Sequence, residues 1–123
     1  MKVIEAINKA DALNPNSYST EAKIEWLSEL DTAIFLNIIS THEEAAISEF
    51  NGYDTNSNET QLLVPSPYDS IYIYWLQAKI EYWNQEISKY NNAMAMYNTA
   101  YSEFERYYNR TYMPKGQSFK YFG

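Results

Sequence analysis

The 123-residue chain suits one domain and carries 16 acids against 9 Lys and Arg, a net charge of −7. It has no Cys, which excludes disulfides, thiolate metal sites and thiol nucleophiles and fits a reducing cytosol. No stretch approaches about 18 consecutive apolar residues, so no membrane span is expected, and the N-terminal MKVIEAINKADAL has internal acids and no long apolar run, unlike a secretory signal.

The first predicted element is a short helix over about Lys2 to Leu13, with Val3, Ile7 and Ala10 on one face. Asn14-Pro15-Asn16 ends it, because proline disfavours helical geometry at the residue before it. A second helix opens at Ser19 or Thr20, whose hydroxyl suits the free N–H groups of a first turn, with Glu21 favoured at the positive end. Trp26, Leu27, Leu30, Ile34 and Ile38 repeat at helical spacing down to about Thr41, with Glu25, Glu29 and Asp31 expected to face outward near Lys23. Glu43 to Phe50 reads as a further short helix.

Asn51-Gly52 is a strong turn pair, and the polar run Asp54 to Thr60 reads as a loop. Leu62-Leu63-Val64 is a brief extended stretch stopped by Pro65 and Pro67, suited to an edge strand or to lying against the helices. Asp69 or Ser70 then caps the last helix.

From Ile73 to Tyr108 runs an apolar seam: Ile73, Leu76, Ile80, Trp83, Ile87, Tyr90, Met94, Tyr97, Tyr101, Phe104 and Tyr108. The steps of three and four place these side chains on one stripe of a helix. No Pro or Gly interrupts it, so the pattern predicts a single helix from about Asp69 to Asn109, roughly 40 residues and near 60 Å long. A small domain cannot cover such a helix, and part of the seam is therefore expected to be buried by a neighbouring chain. Thirteen Tyr, three Trp and five Phe make up 17% of the chain. Tyrosine joins a large apolar body to a polar tip and suits interfaces; the plainer reading is a helical core that uses Tyr where Leu is commoner. Tyr82, Trp83, Tyr90, Tyr97 and Tyr101 are the candidate oligomer interface. Asn91-Asn92 either fixes the register of packed helices or faces solvent.

After Tyr108, Pro114 and Gly116 break the helix. Phe119, Lys120 and Tyr121 alternate as a strand does. The expected architecture is all-α: a small helical bundle with one long C-terminal helix and an extended C-terminal tail, divided into a helical domain, 1–109, and a tail, 110–123. All sixteen acids lie within 1–105, whereas Arg106, Arg110, Lys115 and Lys120 follow with no acid among them. An acidic body argues against broad nucleic-acid binding. The basic aromatic end reads as a docking tail, with Arg110, Met113, Lys115, Phe119, Lys120, Tyr121 and Phe122 as candidates for partner contact.

A search for chemistry returns little. The one His, His42, has no companions at ligand spacing and reads as a polar residue near a helix end. There is no G-x-S-x-G motif and no phosphate-cradling glycine loop. No catalytic residue, metal site or cofactor is expected, and the chain is not read as an enzyme.

The strings KIEWLSELD (23–31), LLVPSPYDSIY (62–72), YNNAMAMYNTAYSEFERYYNRTYMPKG (90–116) and FKYF (119–122) resemble small proteins from the head-morphogenesis region of tailed bacteriophages and prophages of Gram-positive bacteria. Among these, the resemblance is to head–tail connector, or head-completion, proteins of the neck. The family pattern often has His where this chain has Tyr112 and Ser where it has Ala93, so no imidazole role carries over to that position. The resemblance implies a helical adaptor that assembles as a ring of about twelve copies on the portal protein, contacts tail or neck proteins, and resides in the virion neck after assembly in the host cytoplasm. It also implies a tail that reaches the portal and an acidic channel wall that lets DNA pass. The other readings are a tail-assembly or scaffold-like phage protein, and a small non-virion protein-binding module.

Overall fold

A computed structural model describes residues 1–43, 45 and 47–115. Within them the protein is an all-α bundle of four helices, α1 (Val3–Leu13), α2 (Thr20–Asn37), α3 (Ile71–Trp83) and α4 (Ile87–Thr111), with one turn of 3-10 helix at Ile39–Thr41. Helix α1 buries Val3, Ala6, Ile7 and Ala10 against α2 and α3. It stops before Pro15 as expected, and the Asn14 N–H closes its last turn on the Ala10 carbonyl. Ser19 caps α2, its Oγ accepting from the Ala22 N–H at 3.1 Å. Leu27, Leu30 and Ile34 of α2 are fully enclosed.

Between the 3-10 turn and α3 the described residues form no regular element but are well tied down. Carbonyls of Thr60 and Asn58 accept from the N–H groups of Val3 and Ile4, so the loop satisfies donors that the start of α1 leaves open. Leu62 N–H donates to the Met1 carbonyl, and Lys2 and Gln61 form an isolated antiparallel bridge. Leu62 and Val64 are buried without becoming a strand. Gly52 adopts φ +84°, and a Cβ there would come within 2.6 Å of Ser28 Oγ. The left-handed backbone there favours glycine, and a side chain would also displace Ser28 Oγ, which accepts from the Tyr53 N–H at 3.0 Å.

Two expected helical stretches take another form. The described residues between Glu43 and Phe50 are not helical. Instead the backbone leaves the 3-10 turn extended at His42, and the Glu43 N–H bonds the Met113 carbonyl. Phe50 then packs on Phe35 and Tyr53.

The larger correction is that the expected Asp69–Asn109 helix is an αα-hairpin. Helix α3 ends at Trp83, Gln85 takes φ +61°, and α4 begins at Ile87. Glu86 N–H reaches back to the Glu81 carbonyl and Gln85 N–H to the Tyr82 carbonyl. That pair of bonds is a Schellman motif, with glutamine where glycine is usual. The reversal lays α4 along α3, which is the most extensive helix pairing in the molecule. The seam thus covers much of itself: Leu76, Ile80, Phe104 and Tyr108 are buried within the chain, and the 60 Å helix from which a neighbouring chain was expected to bury a part does not form. Trp83 and Ile87, at the reversal, stay exposed. Neither Asp69 nor Ser70 supplies a side-chain cap to α3. Asn91 and Asn92 face solvent.

This hairpin separates two residues that a single helix would treat alike. Ile80→Ala should cost about 2–5 kcal/mol, because Ile80 is fully buried. Ile87→Ala should change stability by no more than about 0.5 kcal/mol, because Ile87 is 73% exposed. Urea unfolding of both variants tests this, and similar costs at the two sites would contradict the reversal.

Candidate interaction site

The tip and one face of the α3–α4 hairpin concentrate aromatic side chains. Tyr82 lies edge-on to Trp83 with centroids 5.3 Å apart, and 5.7 Å from Tyr90 across the reversal. The i, i+1 pair on α3 and the first inward turn of α4 meet because the Schellman reversal brings the two helix ends side by side. Tyr82 and Trp83 are 55% and 56% exposed. Together with Glu81, Glu86 and Ile87 they line a notch of about 480 Å³ at the tip. A second groove of about 370 Å³, lined by Trp75, Lys79 and Met94 among others, shares Tyr82, Trp83 and Tyr90 with the notch. The shared rings of Tyr82, Trp83 and Tyr90 stand between the two, and both are lined mainly by apolar surface. Lys79 there is already engaged, its Nζ 4.8 Å from the centre of the Trp75 ring and 3.3 Å from Glu29.

Of the five expected interface residues, the structure brings Tyr82, Trp83 and Tyr90 together and assigns Tyr97 and Tyr101 largely to internal packing. Tyr97 packs on Trp75 at 5.0 Å, and burial pushes its hydroxyl up to about 12. Tyr101 follows one turn later, 6.0 Å from Tyr97. Its hydroxyl is raised first by burial and then by Glu105, and a hydrogen bond with Asn37 opposes the shift. Both residues hold α4 against the bundle.

Helix α4 continues through Arg110 to Thr111. The following residues dock on their own chain: the Lys115 N–H donates to the Thr41 carbonyl at 2.8 Å, and Pro114 bridges His42. Arg110, Met113 and Lys115 are exposed. Phe119, Lys120, Tyr121 and Phe122 lie outside the described residues.

His42 and Asp31 take unexpected places. His42 is buried; its Nδ1 donates to the Ile38 carbonyl at 2.6 Å and its Nε2 meets the Asn109 side-chain amide at 2.8 Å. The ring stands edge-on to Tyr108 at 4.7 Å. It therefore clasps the end of α2 to the end of α4, beside a cleft of about 680 Å³ that Glu105, Asn109 and Arg110 also line. Asp31, expected outside, is fully buried. Its Oδ2 accepts from Tyr53 OH at 2.5 Å and Leu63 N–H at 3.1 Å, and its Oδ1 from Tyr72 OH at 2.7 Å. Tyr72 OH in turn accepts from the Val64 N–H at 2.7 Å. Lys23 pairs with Asp11 of α1 at 2.9 Å, not with the acids of its own helix. A signal for Asp31 was present: it stands four residues after Leu27 and three before Ile34, on the apolar stripe of α2.

Among the described residues no group of His, Cys, Asp and Glu is arranged to hold a metal ion, and no helix is long and apolar enough to cross a membrane. Comparison with protein-family models, curated proteins and solved structures found no match.

Proposed function

We propose that this chain is a structural protein of tailed-phage virions, a head–tail connector adaptor that assembles as a ring on the portal and links the DNA-filled head to the tail. The observation that carries the reading is the exposed aromatic tip of the hairpin. Trp83, Tyr82, Tyr90 and Ile87 form an apolar surface held rigid by two packed helices, the kind of patch that protein partners cover. Resemblance in the strings PYD-IY, YNN-MA and YYNRT-MPKG supplies the phage and neck context. The acidic body suits a channel wall, since it repels passing DNA.

A portal gene and a capsid gene immediately upstream would be the first support. The decisive test is Tyr82→Glu in a phage that encodes this chain. The residue is half-exposed, so the variant should fold, while the added charge opposes drying of the interface. The expected result is DNA-filled or partly filled heads that lack tails. Infectious particles at the normal level would overturn the connector reading.

A further inference from the structure

The apolar seam keeps its phase across a turn that does not need it. Ile80, Trp83, Ile87 and Tyr90 continue the alternation of three- and four-residue steps straight through 84–86. The two helices of a hairpin need no common phase, because each has only to turn its own apolar side inward. A shared phase is what one continuous helix requires when it pairs with another along its length. The hairpin also leaves the two seam residues nearest the turn uncovered: Trp83 is 56% and Ile87 73% exposed.

The turn is short and built from residues that a helix accepts. Asn84, Gln85 and Glu86 include neither glycine nor proline, and Gln85 is held at φ +61°, a left-handed conformation that is costly for a residue with a Cβ. A short hinge under strain favours exchange of an element between copies. Helix α4 is suited to leave, since among the described residues α3 is the one helix against which it packs extensively. The pairing is symmetric as well. Trp75 and Tyr97 stand eleven residues either side of Glu86, Tyr82 and Tyr90 four, and Tyr68 and Phe104 eighteen. Two chains straightened at 84–86 and related by a two-fold axis there would make every one of these ring pairs between copies.

We propose that α4 exchanges between two copies of this chain: the hairpin opens at Asn84–Glu86, and each α4 packs on α3 of the other copy in a two-fold dimer. The Lys115–Thr41 and Glu43–Met113 backbone bonds and the His42–Asn109 contact travel with α4 and re-form on the second copy. The dimer keeps the contacts of the closed chain, replaces two left-handed turns with helix, and brings Trp83 and Ile87 of the two copies together at the axis. It gives up the independent motion of two chains, so concentration sets which form prevails. It also withdraws the exposed tip that the connector role uses, although the exchange itself does not depend on that role.

Refolding from urea over a range of chain concentrations, followed by sedimentation, tests it. The wild-type dimer fraction should rise with the concentration at refolding, at unchanged helix content by circular dichroism. Gln85→Gly relieves the closed turn and weakens a continuous helix, and should need at least about tenfold higher concentration for the same dimer fraction. Gln85→Val, β-branched and poor in the left-handed conformation, should reach it at about tenfold lower concentration. The chain has no Cys, so thiols placed at Tyr68 and Tyr107, whose rings stack at 4.7 Å far from the turn, report where α4 lies. Tyr68→Cys and Tyr107→Cys copies refolded together should be joined to each other by a short thiol cross-linker, and neither variant refolded alone should be joined to itself. A wild-type chain that stays monomeric up to about 1 mM would overturn the proposal. So would a dimer without the 68-to-107 cross-link, in which closed chains associate through their surfaces. Gln85→Gly and Gln85→Val shifting association in the same direction would overturn it too.

Discussion

Replacing Asp31 with alanine should destabilise the protein by about 3–5 kcal/mol. The carboxylate is where α2, α3 and the irregular 51–70 segment converge, since Tyr53, Leu63 and Tyr72 all donate to it. Alanine would leave the buried Tyr72 phenol, the half-buried Tyr53 phenol and a backbone N–H without their acceptor, at a position that is itself fully buried. The same site has a pH signature. Burial, the dominant influence, raises the Asp31 carboxyl to about 6, and the hydrogen bonds from Tyr53, Leu63 and Tyr72 pull in the opposite direction. Both phenols are raised too, first by burial and then by the neighbouring carboxylate. Because the folded value lies above the ordinary one, the folded protein holds this proton longer than the unfolded chain. The contribution of Asp31 is therefore full below about pH 4 and is lost as pH rises through about 6, by up to about 3 kcal/mol. Asp31→Asn does not titrate and supplies the reference. The stability of the wild type relative to Asp31→Asn should decline between pH 4 and pH 6.5 in urea titrations. A difference that stays level across this range would mean the carboxyl is already ionised in the fold at pH 4.

Phe104→Ala should cost about 3–5 kcal/mol. Helix α4 is 25 residues long, yet only Ala100, Phe104 and Tyr108 are fully enclosed. Phe104 is the largest apolar side chain of the three and sits among Tyr68, Tyr107 and Tyr108, with centroids 5.7–6.3 Å away. Tyr68 also stacks on Tyr107 at 4.7 Å, so removing the Phe104 ring takes the centre from an aromatic cluster. Amide exchange should report the loss mainly over the C-terminal half of α4, where the His42 clasp sits. A cost below about 1 kcal/mol would shift the anchoring of α4 to the packing of its Tyr90 and Tyr97 against Tyr82 and Trp75 of α3.

Where the chain follows local rules, the sequence is a good guide. Pro15 stops α1, Ser19 caps α2, and the polar run after Gly52 is a loop, because each depends on a residue and its immediate neighbours. The all-α bundle with a long C-terminal helix also follows from apolar spacing alone. Of the candidate interface residues, Trp83 and Tyr90 stand on the seam and Tyr82 beside it, and the rings of Trp83 and Tyr90 both approach that of Tyr82 at one tip.

The reversal at Gln85 was not legible. Helical periodicity runs straight through it, and the residue in the left-handed conformation is not glycine. A continuous 60 Å helix and a hairpin satisfy the same pattern. They differ in what the seam touches: folding back buries Leu76, Ile80 and Phe104 within one chain, which a lone extended helix leaves wet. Asp31 and His42 show the same division. The sequence supplied a carboxylate and an imidazole of ordinary type, and only the packing of distant segments, 22 to 67 residues away, turned them into buried fastenings. Spacing along the chain thus determined which residues are helical and which stripes are apolar. Tertiary structure decided which part of the aromatic stripe closes on itself and which stays open at the tip, because burial is a property of the partner surface and not of the periodicity that seeks one.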